Sequence, residues 1–388
     1  MSNELTVKVF QHDAGCLLKE KGAFVFNCIS KSEDGFISLT MPVRARSYVH
    51  PYLHPIFEMH LPEGYLLSVI KKQFSKLTAT DDFGLLHLLS SSIRGRVHYQ
   101  NGIETPEVLS LDDLLHPKHP KLFDELVTRF AFKSPLSGVQ PKVLAQIENK
   151  ATLKLDDYIV KAWGDDYPQL AINEYFCMMA VKLAGIAVPE FYLSDDDRFF
   201  IMKRFDIDDI GTALGFEDMC VLQAKQRDDK YCGSYEQVAK SIKLFCSPPY
   251  KTSSLQQFFK MVVLNNKLQN GDAHLKNFGL IYEDINHIRL APAYDVVSTT
   301  AYIANDIAAL TLLGSKKWWK KEFLIRFGVD SCELTSKIAH QLYDECEAAL
   351  VCVLETIEVR LSSEADEQKR QVLEHLISLI GGSGSRAS

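Results

Sequence analysis

The chain has 388 residues, of which 46% are hydrophobic and 24% charged, and its formal net charge is -7. This length is too great for one small domain and suits two or three packed units. The mild acidity excludes a chain-wide electrostatic footprint for nucleic acid. No apolar stretch approaches the roughly 20 residues that span a bilayer.

The cysteines and the first residues of the sequence indicate the cellular compartment. The nine cysteines include no C-x-x-C pair, which argues against a disulfide framework or a zinc site and fits a reducing cytosol. The first residues lack a basic region followed by an apolar run, so no signal peptide is predicted. We therefore expect a cytoplasmic protein without a membrane anchor.

The first 110 residues alternate short apolar segments with polar turns, a pattern typical of an antiparallel meander. The predicted elements are strands at 5–10, 23–26 and 36–39, helices opening at 62 and covering about 82–90, and a closing strand at 96–99. These elements predict a small α+β unit. It contains no group of residues typical of catalysis.

A second unit is predicted over residues 111–206. The segment 111–132 is interrupted by prolines and reads as a domain junction. Residues 134–145 (SPLSGVQPKVLA) form a small hydroxylated turn before an apolar strand, and such a turn can lay backbone N–H groups on phosphate oxygens. With one glycine it is neither a Walker loop nor the usual Gly-rich kinase loop, and a polar hairpin turn remains the alternative.

Lys161 ends the apolar strand at 158–161, as the lysine of the V-A-I-K strand does in kinases. Glu174 lies on the amphipathic helix that follows. An ion pair between the two would hold the ammonium over the α- and β-phosphates of a nucleotide. A lysine at a strand end is otherwise usually solvated, so this interpretation depends on its neighbours along the chain.

The strand at 199–202 breaks into charges at residues 203–206 (KRFD). In a two-lobed kinase, the strand that leaves the small lobe offers backbone groups to adenine. Lys203 to Phe205 fall at that place in the order, and Asp206 could reach the ribose. A strand capped by solvated charges is equally compatible with these residues.

Residues 270–277 (NGDAHLKN) lie between a helical run ending near 268 and a short apolar strand. Asp272 and Asn277 have the D-x-x-x-x-N spacing of a phosphotransferase catalytic loop. The carboxylate can accept the proton of an attacking hydroxyl, and the amide oxygen can reach a magnesium ion that bridges nucleotide phosphates. Taken alone, this spacing more often reflects Asp and Asn side chains that hydrogen-bond their own backbone in a turn. The order of parts along the chain favours the catalytic interpretation.

Three more residues are candidates beside this pair. Asp295 follows the next strand, where a kinase needs its main metal ligand. Lys276 could neutralise a γ-phosphate. His274 is a candidate for the chemistry but is better explained as a residue that stabilises the loop, because Asp272 is the better-placed acceptor.

The remainder is predicted to be a mainly helical unit over residues 207–380. Residues 207–250 are polar and irregular, and apolar residues recur every three or four positions over 334–361, which indicates a long amphipathic helix. Ser363 to Asp366 resembles a capping box for a last helix. The glycine- and serine-rich residues 381–388 are predicted to form a flexible tail.

With these parts in one order, nearly the whole chain resembles the HipA family, bacterial serine/threonine protein kinases that act as toxins of type II toxin–antitoxin modules. The motifs that carry the resemblance are residues 137–142 (SGVQPK), 173–175 (NEY), 203–206 (KRFD), 272–277 (DAHLKN) and 294–295 (YD). The resemblance implies an α+β, two-lobed, phosphatidylinositol-kinase-like fold. It would comprise an N-terminal α+β subdomain (1–110), a small lobe with phosphate loop and hinge (111–206) and a mainly helical large lobe (207–380).

The resemblance also implies ATP and Mg²⁺ as cofactors. Asp272 would be the catalytic base, with His274 and Lys276 beside it, and Asn277 and Asp295 would be the magnesium ligands. Lys161, supported by Glu174, would anchor the phosphates. The hinge and the phosphate loop would complete the nucleotide site with Lys203, Phe205, Asp206, Ser137, Gly138, Val139, Gln140 and Lys142.

Members of this family are regulated by autophosphorylation of a serine in the phosphate loop, which ejects the loop and disables ATP binding. The longer members carry that serine where this chain has Pro135. Ser137 matches a second serine used in the shorter, split members, so it is the first candidate and Ser134 the second. Lys203 stands where an acidic hinge residue is usual, and little effect is expected because that contact is made by backbone.

The function implied is a growth-inhibiting kinase that phosphorylates a translation component such as an aminoacyl-tRNA synthetase. The implied partner is a helix-turn-helix, HipB-like antitoxin that carries the pair onto operator DNA. Two alternatives stay open. The first is a small-molecule kinase, because the 272–277 loop also matches aminoglycoside and choline-type phosphotransferases, which lack the first 110 residues and the 137–142 loop. The second is a non-catalytic pseudokinase, against which the intact charged positions weigh.

Overall fold

The computed structural model describes residues 3–61, 81–90, 93, 95–99, 109–117, 142–149, 154–163 and 167–385. The helix predicted to open at residue 62 lies outside these ranges. Within them, no helix is at once long and apolar enough to cross a membrane.

The N-terminal unit is built on a five-stranded antiparallel sheet of order β4-β3-β2-β1-β5. Its strands are β1 (Glu4–Val9), β2 (His12–Glu20), β3 (Ala23–Cys28), β4 (Tyr48–His50) and β5 (Val97–Tyr99). Alternate residues of β1 are buried, as expected of a strand with one face on a core. Two helices, α1 (Pro55–Glu58) and α2 (Asp82–Leu89), contribute to the same core, and the predicted helix at 82–90 is thereby confirmed.

The strand predicted over residues 36–39 is wrong, and β2, which was not predicted, lies between β1 and β3. Side chains from elsewhere take the backbone groups of this segment. Arg96 donates to the carbonyl of Phe36 at 2.6 Å, and the Glu217 carboxylate accepts the backbone N–H of Leu39 at 2.8 Å. Because these bonds satisfy the buried backbone, the segment needs no ladder partner. Its apolar pattern reflected burial in a loop.

A second five-stranded sheet has the order β6-β7-β8-β10-β9. The strands are β6 (Leu109–Ser110), β7 (Lys142–Asn149), β8 (Lys154–Ala162), β9 (Phe191–Leu193) and β10 (Phe199–Lys203), with α3 (Leu111–Leu115) after β6 and α4 (Leu170–Leu183) after β8. β6 pairs with β7 in parallel, and the other pairs are antiparallel. The strands predicted at 158–161 and 199–202 lie within β8 and β10, and with the helix carrying Glu174 they are confirmed.

The two faces of this sheet belong to different cores. Val160, Phe199 and Ile201 pack with the N-terminal unit, whereas Phe200 and Met202 pack with α4 and the C-terminal helices. Successive residues of a strand point to opposite faces. Lys161, opposite Phe200 in the β8–β10 register, therefore faces α4 and not the N-terminal unit.

The C-terminal part combines a small antiparallel sheet of order β11-β12-β13 with helices. The strands are β11 (Gly215–Asp218), β12 (Gly279–Tyr282) and β13 (Ile288–Leu290), and the helices are α5 (Met219–Leu222), α6 (Tyr235–Phe245), α7 (Pro248–Lys267), α8 (Lys321–Asp330), α9 (Ser336–Ser363) and α10 (Glu367–Ser385). The helix before residue 268 and the long amphipathic helix are confirmed. The predicted unit boundaries at residues 110 and 206 stay predictions.

Two expectations for this part were wrong. Residues 207–250 are not irregular, because they contain β11, α5 and α6; the Ser234 hydroxyl accepts the Gln237 N–H and caps α6. Ser363 does not cap the last helix, since it ends α9, and Asp366 instead accepts the Lys369 N–H at 3.0 Å. The last helix also continues to Ser385, beyond the start of the predicted tail.

Candidate active site

The loop between α7 and β12 is fixed at its start by a buried amide. The side chain of Asn270 donates to Asn265 Oδ1 at 2.7 Å, and its own Oδ1 accepts the N–H of Asp272 at 3.1 Å. At the other end, Leu275 lies within a 3₁₀ turn and is fully buried. The loop is therefore held on both sides of Asp272.

A second restraint comes from the segment after Asp295. Thr299 Oγ1 accepts the N–H of Gly271 at 2.8 Å and lies 2.5 Å from Asp306 Oδ2. A Cβ atom on residue 271 would clash with that same oxygen, so any larger residue would force the Asp306 side chain to move. Glycine at 271 thus lets the loop approach Asp306 closely enough to be fixed by Thr299.

Three charges meet between the small lobe and the helical part. Lys161 Nζ contacts Glu174 Oε1 and lies 2.5 Å from Asp295 Oδ1. The side chains are 3% exposed for Lys161, 1% for Glu174 and 19% for Asp295. Burial acts to lower the pKa of Lys161, but Asp295 and Glu174 outweigh it and the pKa is raised. The ammonium is therefore held in its charged form, as the sequence-based pairing of Lys161 with Glu174 requires.

Asn173, next to Glu174 on α4, ties this helix to the segment that carries Asp295. Its Nδ2 donates to the Ser298 carbonyl at 2.9 Å, and its Oδ1 accepts the Ser298 N–H at 2.8 Å. The amide is fully buried. The sequence analysis included residue 173 in a motif but gave it no role; the two-way hydrogen bond makes it a positioning residue.

Asp295 adopts a left-handed backbone conformation, with φ of 61°. A non-glycine residue there costs on the order of 1 kcal/mol, and such strain concentrates at functional sites. Asn277 stabilises the conformation, because its Nδ2 lies 3.1 Å from Asp295 Oδ2 and 3.3 Å from the Asp295 carbonyl oxygen. The two predicted metal ligands are therefore adjacent.

The amide oxygen of Asn277 is buried and, within the described part of the chain, accepts no hydrogen bond. Leaving such an acceptor unsatisfied costs about 1–3 kcal/mol. An unsatisfied amide oxygen next to a carboxylate is the donor set that a hard divalent cation such as Mg²⁺ prefers, with phosphate or water oxygens completing its shell. Asn277 and Asp295 accordingly fit magnesium.

Asp272 lies in a more open environment, with its side chain 37% exposed. Its Oδ1 accepts the Tyr231 hydroxyl at 2.6 Å. His274 lies behind it, with Nε2 3.9 Å from the same oxygen, and packs edge-on against the Tyr231 ring. His274 is buried within the loop, whereas the Asp272 carboxylate reaches solvent.

Lys276 points elsewhere than its predicted role requires. Its Nζ lies 3.7 Å from Asp218 Oδ2, and both side chains are buried. Burial and, less strongly, the charge of Lys276 together lower the pKa of His60 to about 4, which places this ammonium towards the N-terminal unit. Asp218 attracts the ammonium to the back of the loop, so the structure does not bring Lys276 to Asp272 as a γ-phosphate ligand.

The predicted hinge runs beside the site. Lys203 ends β10, and the ring of Phe205 stacks on Tyr294 with centroids 5.3 Å apart. The Asp206 carboxylate accepts hydrogen bonds from Arg204 Nε at 2.7 Å and from Arg204 Nη2 at 2.5 Å. Asp206 therefore fixes Arg204, and the structure gives no support to its predicted contact with a ribose.

A cavity of about 270 Å³ lies beside these residues. Asp272 and Asp295 line it together, and its walls include Tyr167, Tyr231, Tyr302 and Asp306. Of the other predicted site residues, Ser134, Ser137, Gly138, Val139 and Gln140 lie outside the described residues, and Lys142 is described only as the first residue of β7.

Two family models match the chain. The model described as HipA N-terminal domain matches residues 5–100, and the one described as HipA-like C-terminal domain matches residues 134–353. The chain belongs to the HipA family. The family prediction made from the five motifs is therefore confirmed.

Relatives of this HipA-family chain include two proteins named as kinases. "Putative kinase Y4dM" of Sinorhizobium fredii is 29% identical over 311 residues, which cover 74% of this chain and 71% of that protein. A "Putative kinase" of Haemophilus influenzae is 29% identical over 202 residues, covering 47% of this chain and 58% of that protein.

A solved structure has the same fold. HipA of Shewanella oneidensis, determined in complex with HipB and its operator DNA, superposes with a TM-score of 0.73. It is 17% identical, and the match covers 98% of this chain and 97% of that chain. The predicted α+β, two-lobed fold is confirmed.

Residues outside the predicted site also shape the HipA-family cavity. Tyr231 and Thr299 contact the loop at residues 270–277 and Asp306 contacts Thr299, yet no role was predicted for these three residues. Tyr231 lies in a stretch interpreted as irregular, and the other two follow Asp295 with no motif of their own. Nothing in their local spacing indicates the contact, which only the folded chain produces.

Proposed function

We propose that this HipA-family chain is an ATP-dependent serine/threonine protein kinase that acts as a growth-inhibiting toxin. The observation that carries the proposal is that Asp272 and Asp295 line one cavity, with Asn277 and Lys161 in contact with Asp295. The names of the relatives from Sinorhizobium fredii and Haemophilus influenzae support the same class of reaction.

At the buried end of the cavity, the chain's own residues would hold a nucleotide. Lys161 supplies a fixed positive charge, and Asn277 and Asp295 supply the oxygens for magnesium. ATP bound with magnesium supplies the phosphoryl group and the neutralisation of its charge. Glu174 and Asn173 keep Lys161 and the Asp295 segment in place, so that little reorganisation is needed when the charges arrive.

At the open end, Asp272 would act on the acceptor. Its carboxylate would orient a serine or threonine hydroxyl and accept its proton as the phosphoryl group is transferred. Tyr231 holds one carboxylate oxygen and thereby fixes the direction of the other. The loop restraints through Asn270 and Thr299 keep Asp272 at a constant distance from Asp295.

The biological setting follows from the family. The Shewanella protein was crystallised with HipB and operator DNA, which supports a HipB-like antitoxin and operator DNA as partners of this chain. The substrate would be a translation component such as an aminoacyl-tRNA synthetase. Autophosphorylation would occur at Ser137, with Ser134 as the second candidate.

The test is substitution of the base. In Asp272→Asn, we expect phosphoryl transfer to fall by about 10²–10⁴-fold, because general-base catalysis contributes on that order. Binding of Mg²⁺-ATP, followed by calorimetry, should persist, and growth arrest on expression should be relieved. Asp330→Asn, at an exposed position on α8, is the matched control and should behave as the parent.

Mass spectrometry of the parent incubated with Mg²⁺-ATP shows which molecule receives the phosphate. Phosphate on a sugar or amine, with none on protein, would replace the protein-kinase assignment by a small-molecule phosphotransferase. Growth arrest that survives Asp272→Asn would remove the kinase explanation of toxicity.

A further inference from the structure

One basic segment of the chain takes no part in the site described above. Residues 315–321 (SKKWWKK) contain four lysines and two tryptophans and no acidic residue, in a chain whose net charge is -7. The segment leads into α8 and, up to Trp319, has no regular secondary structure. Such a concentration of one sign of charge in an acidic protein calls for a physical explanation.

The segment borders the open end of the cavity. Lys316 Nζ donates to the backbone carbonyl of Tyr231 at 3.1 Å, and the hydroxyl of Tyr231 donates to Asp272 at 2.6 Å. Trp318 Nε1 donates to the carbonyl of Asp306, a residue of the cavity wall, at 3.1 Å. One residue therefore separates the nearest lysine from the carboxylate that would act on the acceptor.

The backbone of the segment is fixed to the helix that delivers the catalytic loop. Asn266 on α7 accepts the Trp319 N–H at 2.7 Å and donates to the Trp319 carbonyl at 2.9 Å. Lys317 Nζ lies 4.1 Å from the centroid of the Trp319 ring. The position of the segment relative to Asp272 is thus set by the same helix, and little ordering would be needed on binding a partner.

The lysines of the segment differ in their exposure and in their partners. Lys317 and Lys320 are exposed, and among the ion pairs of the described residues neither lysine is involved. Lys321 differs, because it pairs with Asp344 at 2.7 Å. An exposed lysine that is not neutralised internally acts over about a Debye length, roughly 8 Å at physiological salt.

We infer that Lys316, Lys317 and Lys320, here called the lysine rim, form a docking surface for a protein substrate with acidic residues beside the phosphorylated serine or threonine. This inference rests on the proposed function. A substrate segment that places its hydroxyl at Asp272 must pass the rim. Glutamate or aspartate side chains flanking that hydroxyl would then meet three ammonium groups, which gives charge complementarity and faster encounter.

The surroundings favour an acidic peptide over a nucleic acid. Single strands bind to open aromatic faces on which bases stack, whereas Trp318 and Trp319 are half-buried and held by hydrogen bonds to Asp306 and Asn266. The adjoining cavity also presents carboxylates of Asp272, Asp295 and Asp306. These would repel a continuous phosphodiester chain, but they leave room for a short peptide whose charges stay on the rim.

The experiment measures binding of labelled peptides to the full-length protein by fluorescence anisotropy. One peptide carries a central serine flanked on both sides by three glutamates, and the other has glutamines in their place. We expect the glutamate peptide to bind at least tenfold more tightly at low salt, and this preference to shrink as salt is added. The triple variant Lys316→Glu/Lys317→Glu/Lys320→Glu should lose the preference.

A second triple variant, Lys21→Glu/Lys31→Glu/Lys337→Glu, changes net charge equally at exposed positions remote in sequence from the rim and should keep the preference. If charge reversal at the rim prevents folding, the milder Lys316→Gln/Lys317→Gln/Lys320→Gln replaces it. Thermal melting and Mg²⁺-ATP binding report on folding and on the nucleotide site of each variant.

Three outcomes would overturn the inference: equal binding of the two peptides, equal loss in both triple variants, or tighter rim-dependent binding of labelled duplex DNA than of the glutamate peptide. The last would make the rim a nucleic-acid surface. A parent protein that binds no Mg²⁺-ATP would instead overturn the proposed kinase function. Because peptide binding is measured without phosphoryl transfer, the two failures are distinguishable.

Discussion

The two ends of the cavity differ in how they hold their charged groups. At one end, Lys161, Glu174 and Asp295 form a cluster shielded from water, with Asn173 holding the neighbouring backbone. At the other end, Asp272 reaches solvent and accepts a hydrogen bond from the Tyr231 hydroxyl. The buried end around Lys161 is suited to a ligand that is always the same, whereas the open end at Asp272 gives access to ligands that differ from one another.

This difference has an energetic consequence. Charges in a dry environment interact strongly, but each one becomes costly when its partner is removed. Charges near water are screened and can change partners cheaply. Substitutions at the buried end should therefore affect folding and nucleotide binding together, and substitutions at the open end should affect turnover alone.

The largest effect is expected for Lys161→Met. Removing the ammonium takes a buried positive charge away from the Glu174 and Asp295 carboxylates, and breaking a buried pair in this way costs about 3–5 kcal/mol. Chemical denaturation would measure the loss, and Mg²⁺-ATP binding should fall with it. Lys182→Met, at an exposed position on the same helix as Glu174, should leave both unchanged. Equal stability of the two variants would contradict the contrast between the two ends.

A smaller effect is expected for Asn173→Ala. The substitution strands the N–H and carbonyl groups of Ser298, and each buried unsatisfied group costs about 1–3 kcal/mol. We expect lower stability and weaker nucleotide binding, because Asp295 loses its tie to α4. Asn286→Ala, in an exposed turn, is the control. A variant that melts like the parent and binds Mg²⁺-ATP normally would show that Asn173 does not position the site.

Tyr231→Phe tests the open end. Loss of the hydroxyl removes the restraint that Tyr231 places on the Asp272 carboxylate, so kcat should fall by roughly tenfold or less, which corresponds to about one hydrogen bond. KM for ATP and the denaturation midpoint should not change. Tyr52→Phe, at an exposed position of the N-terminal unit, should leave all three quantities alone. A change in stability with kcat intact would assign Tyr231 a structural role.

The smallest effect concerns the back of the catalytic loop, where the N-terminal unit meets the large lobe. Burial raises the pKa of Glu58 from its usual value of 4.5 to about 7, although the Arg227 N–H and guanidinium oppose the rise. Because the folded state binds the Glu58 proton more tightly than the unfolded state does, protonation of Glu58 raises the free energy of unfolding. This contribution is complete below pH 4.5 and is lost as the pH rises through 7. Melting temperatures between pH 5 and 8 should decline less steeply in Glu58→Gln. An identical decline would exclude Glu58 as the titrating group.

The order of the catalytic parts could be predicted from the sequence because each has a local signature. Asp272 and Asn277 share one loop, Lys161 lies at the end of an apolar strand, and Asp295 follows another strand. Directions of side chains could not be predicted, as Lys276 shows: only the fold places Asp218 behind the loop and turns its ammonium away from the cavity.

The missed elements have physical explanations as well. The helix α6 was overlooked although Ser234 and Gln237 form the S-x-x-Q capping box that usually marks a helix start. The segment at residues 36–39 resembled a strand because it is apolar, yet its backbone partners are Arg96 and Glu217, far away in sequence. A local pattern of apolar residues indicates that a segment is buried, but it does not indicate which distant side chain will hydrogen-bond the backbone of that segment.

The packing of Val160, Phe199 and Ile201 against the N-terminal unit has a bearing on how this protein can be divided. A polypeptide that begins near residue 110 would expose a large apolar face of the sheet and should aggregate when it is expressed alone. If two adjacent genes encoded the two parts of this protein, the parts could form the folded kinase only if they were synthesised together and associated before either one aggregated.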